Sequence, residues 1–233
     1  MLVGTAVDAS VRENLQTKLA EGTGVAVEQA KATARDTLVA EWEKGVRVTE
    51  EDLDDAVTDR DKSVDMSVNL AGFHHSVVAP QIQPTHVARR WVLDVEGTNL
   101  QIAGEIDIQT ATSIRDTKTS GKSPQKGLAD ESLQLSVYAL AVRQIDGFLP
   151  ETVHLDFLVQ TPKRGDTKFV PLDSIRTMES LDPVMARIET MDRIINSGMF
   201  TPAPIGSWWC SAKFCGYFST CRYAARPVSV AVK

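Results

Sequence analysis

Residues 100–118 constrain this chain more than any other stretch. Two runs of strand-like composition, Leu100–Gln109 and Ser113–Thr117, are separated only by Thr110-Ala111-Thr112. So short a break predicts two neighbouring antiparallel strands, whose ends the turn brings together. The first run carries Gly104-Glu105-Ile106-Asp107 and the second Asp116-Thr117-Lys118. An acid ending one strand should therefore meet an acid-x-Lys ending the next. Asp107 stands between Ile106 and Ile108, where a charge is costly unless paired or metal-bound. Converging carboxylates suit Mg²⁺ or Mn²⁺, and a nearby lysine can orient a water or hold a phosphate oxygen. That is the minimum kit for metal-assisted phosphodiester hydrolysis.

The flanking pattern sets the architecture. Val3, Val7, Val11, Leu15 and Leu19 recur every four residues, and Ala30, Ala34, Leu38 and Trp42 repeat the spacing after a break at Glu21–Gly24; both predict helices. Thr49 before Glu50, Glu51 and Asp52 predicts the start of a third helix running to about Leu70. A two-proline connector, residues 76–87, leads into strands at Ala88–Val95, Leu100–Gln109 and Ser113–Thr117. A helix over Lys126–Ile145, strands at Val153–Gln160 and Thr167–Pro171, and a helix over Leu181–Ser197 capped by Gly198 complete the order. That order predicts an α/β fold, a mixed central sheet with flanking helices. The expected organisation is one domain over 1–233: a helical region to residue 80, a core over 85–172, and a C-terminal helix with a cysteine-containing tail over 173–233.

The net charge of −6 argues against a nucleic-acid partner at first sight. Its distribution changes that reading. Seven acids fall within residues 50–61 against Arg60, whereas residues 115–126 hold Arg115, Lys118, Lys122 and Lys126 against Asp116. This basic patch beside the acid pair suits phosphate contact; a solvated loop explains Lys122 and Lys126 equally well. No run of apolar residues is long enough to span a membrane. With no secretory signal at the start, a cytoplasmic location is expected.

Further candidates lie elsewhere. Glu131, Gln134 and Tyr138 would share one face of the predicted helix, either reaching the DNA phosphate or metal-bound water, or lining its polar edge. Thr5-x-x-Asp8 reads as a capping box, or Asp8 as another metal ligand. Cys210, Cys215 and Cys221 cluster near Trp208, Trp209, Phe214, Tyr217 and Phe218. In a cytoplasmic protein such clustering suggests a metal more than disulfides: an iron–sulfur cluster one ligand short, or zinc completed by a histidine. His74, His75, His86 and His154 read as structural or surface residues.

Gly104-Glu105-Ile106-Asp107, Asp116-Thr117-Lys118-Thr119, Gln134–Tyr138 and Gly4–Asp8 together resemble the PD-(D/E)XK nuclease superfamily, specifically its RecB-like branch, which includes phage exonucleases. The resemblance implies a restriction-endonuclease-like core and a nuclease acting on linear or single-stranded DNA ends in recombination or repair. A structure-specific endonuclease and a non-catalytic DNA-end-binding module are the alternatives. It implies metal binding by Asp107, Asp116 and the Thr117 carbonyl, with Lys118 catalytic and Gln134 and Tyr138 in support. RecB-like members commonly carry histidine where Asp8 stands. The branch also implies a [4Fe–4S] cluster on Cys210, Cys215, Cys221 and a fourth cysteine that this sequence lacks.

Overall fold

The computed structural model describes residues 2–45, 56–95, 97–98, 100–161, 166–199, 201–204, 207, 209–212 and 214–224. The chain divides into two compact units, residues 1–189 and 190–233. In the first, α1 (Leu2–Glu21) buries Ala6, Val7, Ser10, Val11, Asn14 and Leu15, the spacing of one helical face. α2 (Val27–Glu43) buries only Ala30, Ala34 and Leu38. Its small residues let α1 approach, and Ser10 Oγ donates to Ala30 O at 2.7 Å. α3 (Ala56–Phe73) continues into a wide turn at His74–Val78 and a tight one at Ala79–Gln81. The predicted connector thus begins as helix. The predicted helix start at Thr49 lies outside the described residues.

Five strands follow: β1 (His86–Asp94), β2 (Gln101–Gln109), β3 (Ser113–Ser120), β4 (Thr152–Gln160) and β5 (Thr167–Ser174). They form one sheet in chain order. β3 and β4 are parallel, with α4 (Leu133–Asp146) in the crossover, and the other neighbours are antiparallel. The last helix, α5 (Met178–Ser197), crosses into the second unit. One hydrophobic cluster joins Val7, Val11 and Leu15 of α1 and Leu70 of α3 to Ile108 and Leu158. Another joins Leu135, Tyr138 and Val142 of α4 to Trp91, Ile106, Ile114 and Leu155. Helices therefore cover both faces of the mixed sheet, as expected. Among the described residues no helix is long and apolar enough to cross a membrane.

Two details of the sheet shape the site. β2 and β3 pair only at Gln109↔Ile114 and Ile108↔Arg115, so the strands part where Asp107 and Asp116 begin. The carboxylates meet at this fork, inside both strands rather than at their ends. Secondly, the flanking rungs Val87↔Ile108 and Arg89↔Ile106 place Ala88 opposite Asp107. Ala88 alone among the described non-glycine residues has a left-handed backbone, with φ 53°. Val87 and Ile108 pack with α1 and α3, whereas Trp91 and Ile106 pack with α4. Regular strands keep odd positions on one face; here both strands exchange faces at the level of Asp107.

α4 begins later than its pattern suggests. Ser132 caps it, accepting from the Leu135 N–H at 3.3 Å, after turns that include Gly127 at φ 87°. Glu131 is consequently an exposed turn residue, off the helical face that carries Gln134 and Tyr138. Arg176 fixes this turn, donating to the carbonyls of Ala129, Asp130 and Ser132 and to Ser136 Oγ.

Candidate active site

α1, the β2–β3 fork and the first turn of α4 enclose a pocket of about 480 Å³. Asp8, Asp107, Asp116, Thr117, Lys118 and Gln134 line it, with Val3, Gly4, Thr5 and Thr119. Six residues singled out by the sequence thus converge. The capping-box reading of Thr5 and Asp8 does not hold, because α1 already begins at Leu2. Asp8 instead shares the pocket with Asp107 and Asp116.

The acids are held under electrostatic tension. Asp116 is 1 % exposed. Burial raises the pKa of Asp107, and the charges of Asp116 and Asp8 raise it further; the Thr117 N–H and Lys118 oppose them. Burial also raises that of Asp116, against the pull of Lys118 and a hydrogen bond with Asp107. Asp8 is raised by burial despite Arg12. Lys118 Nζ lies 2.7 Å from Asp116 Oδ2, yet that buried oxygen receives no well-directed hydrogen bond.

A short relay holds the lysine from the other side. Lys118 Nζ donates to Gln134 Oε1 at 3.1 Å, and Gln134 Nε2 donates to Tyr138 Oη at 2.8 Å. Tyr138 is 8 % exposed, and burial raises its phenol to about 12, so it stays protonated. Its ring meets Trp91 edge-on, with centroids 6.3 Å apart. Tyr138 thus anchors Gln134 in the core without lining the pocket.

This donor set fits a divalent cation. Facing carboxylates, Asp116 buried and Asp107 half-buried, with an undersatisfied oxygen are unfavourable alone and gain from a hard cation. Asp107 and Asp116 would hold it, with Asp8 across the pocket. Among the described residues no three His, Cys, Asp or Glu side chains gather closely enough to bind a metal by themselves.

Other candidates lie outside this pocket. Arg115 is committed elsewhere, making two hydrogen bonds of 2.6 and 3.0 Å to the fully buried Asp156. Lys122 and Lys126 are exposed but outside the pocket. Cys210, Cys215 and Cys221 are free thiols, each closing its own tight turn through its N–H, to Ser207, Ser211 and Tyr217. They do not form a ligand group, and the iron–sulfur expectation gains no support. Conversely, the sequence pattern left Arg12 unmarked and gave Glu105 no role beyond its place in the Gly104–Asp107 motif, yet their side chains meet at 2.5 Å. The available signal was the Asp8–Arg12 spacing, one helical turn.

The family model of the PD-(D/E)XK nuclease superfamily matches residues 2–222. The chain belongs to that superfamily. Among solved structures it is similar to a protein from Eubacterium rectale to which exonuclease activity is ascribed, at 13% identity and TM-score 0.46, over 96% of this chain and 93% of that one. It is also similar to SSO0001, at 11% identity and TM-score 0.39, over 87% of this chain and 99% of the other. No curated protein sequence matches it.

Proposed function

We propose that this nuclease-family chain is a Mg²⁺- or Mn²⁺-dependent deoxyribonuclease of the RecB-like branch, acting as an exonuclease on linear DNA in recombination or repair. The observation that carries the reading is the meeting of Asp107, Asp116 and Lys118 in one pocket at the β2–β3 fork. Asp107 and Asp116 would hold the divalent ion, with Thr117 beside them. When bound, that ion polarises the scissile phosphate and acidifies the attacking water. Lys118 orients the water or stabilises negative charge on the phosphate as it is attacked. Gln134 sets the position of the ammonium, since it accepts a hydrogen bond from Nζ.

An exonuclease needs an end. Linear duplex DNA and covalently closed circles of the same sequence should be offered to the protein in Mg²⁺. Digestion of the linear form alone supports the proposal. Cleavage of closed circles would make it an endonuclease on the same fold.

A further inference from the structure

We propose that Arg12 and Arg90, both held by Glu105, form a phosphate-binding track that guides one strand of nucleic acid into the cleavage pocket. This extends the nuclease reading and rests on it.

Glu105 Oε1 accepts from Arg12 Nη2 at 2.5 Å, and Oε2 accepts from Arg90 Nε at 3.3 Å. Two guanidiniums from different elements, α1 and β1, thus converge on one carboxylate. This is the arrangement a phosphate would receive, since arginine forks match carboxylate and phosphate oxygens alike. The Arg90 side chain is 89 % exposed, so its pairing gains little stability. Glu105 acts as an internal anion in the place of a substrate phosphate.

Position links this cluster to the cleavage pocket. Arg12 lies one turn beyond Asp8, and both line a hollow on α1 that shares Thr5 and Asp8 with the cleavage pocket. Arg90 and Glu105 face each other across β1 and β2. With Trp91, Val92, Ala103 and Gly104 they line a groove of about 560 Å³. That space is the size of a nucleotide. Val92 on its wall is 56 % exposed, offering apolar surface to a base. The Arg12–Glu105 ion pair therefore links the groove to the hollow beside the site of chemistry, and the two guanidiniums suit the chain bound there.

The test measures binding of a short fluorescein-labelled single-stranded oligodeoxynucleotide by anisotropy, with Ca²⁺ in place of Mg²⁺, across a salt series. Arg90→Ala should weaken binding and reduce the slope of log K against log salt by about 0.7, one phosphate contact on a single strand. Arg12→Lys should weaken binding by losing the fork while keeping the charge. Glu105→Gln should tighten binding severalfold, because it releases both guanidiniums. The proposal is overturned if Arg90→Ala leaves affinity and slope unchanged, or if Glu105→Gln weakens binding. Tighter binding of the matching duplex would overturn the single-strand assignment. If the unmutated protein cleaves DNA while these variants bind like it, the track fails and the nuclease reading stands. If it neither binds nor cleaves, both fail.

Discussion

Trp91 lies so close over Gly104 that a Cβ on Gly104 would come within 2.5 Å of the indole Cζ2. The two face each other across β1 and β2, and the missing side chain makes room for the ring that braces Tyr138. Gly104→Ala should therefore push Trp91 out of register and destabilise the fold by about 1–3 kcal/mol, several degrees in melting temperature. In a double-mutant cycle, adding Trp91→Phe should recover part of that loss. Strictly additive losses would show that the contact is not the cause.

Gln134 joins the ammonium of Lys118 to the core. Gln134→Ala should lower kcat by about 10- to 100-fold, the usual cost of losing a side chain that orients a functional group. Tyr138→Phe, which removes only the acceptor for the Gln134 amide, should cost less. Steady-state cleavage of linear DNA measures both. A larger effect in Tyr138→Phe than in Gln134→Ala would contradict the relay.

The acid pair should reduce stability without metal. Asp107 has an ordinary value of 3.8, raised in the fold chiefly by burial. A raised folded pKa means a contribution present in full below pH 3.8 and lost as pH climbs through the raised value. Asp107→Asn, which cannot ionise, should therefore melt higher than the unmutated protein near neutral pH in EDTA, with the advantage vanishing toward pH 4. Added Mg²⁺ should narrow the gap by stabilising only the unmutated protein. A lower melting temperature for Asp107→Asn near neutral pH in EDTA would contradict the argument.

His74 supplies a second pH effect with the same direction of argument and the opposite sign. It is 1 % exposed, and burial, with the nearby His75 and Arg115, depresses it from 6.5 to about 3. Its contribution is complete above 6.5 and falls by about 1.4 kcal/mol per pH unit below that, until the folded value is reached. Nε2 has no partner, so His74→Leu should cost little at pH 8 and flatten the loss between pH 6.5 and 4. Equal acid sensitivity in urea titrations would contradict this assignment.

Much of the candidate site's geometry was legible because it depends on spacing. Asp107, Asp116 and Lys118 could be placed together from three intervening turn residues, and Gln134 from the helix that followed. The fork itself was not legible, since nothing in the residue pattern says that the β2–β3 ladder stops after Ile108↔Arg115. Nor was the exchange of faces at Ala88, an alanine in a backbone conformation its side chain disfavours. Arg115 looked free for phosphate only because its partner, Asp156, lies 41 residues away on β4. Glu131 fell off its helix because Ser132 is the better cap. The cysteine spacing suggested a cluster, but each cysteine closes a local turn.

The central claim is that Asp116 and its partners at the fork carry out metal-dependent phosphodiester hydrolysis. Cleavage of linear DNA in Mg²⁺ by Asp116→Ala, shown by circular dichroism to be folded, tests it most directly. The account predicts a loss of about a thousandfold or more, equal to about 4 kcal/mol of transition-state stabilisation. Cleavage by folded Asp116→Ala at a rate near that of the unmutated protein would contradict it.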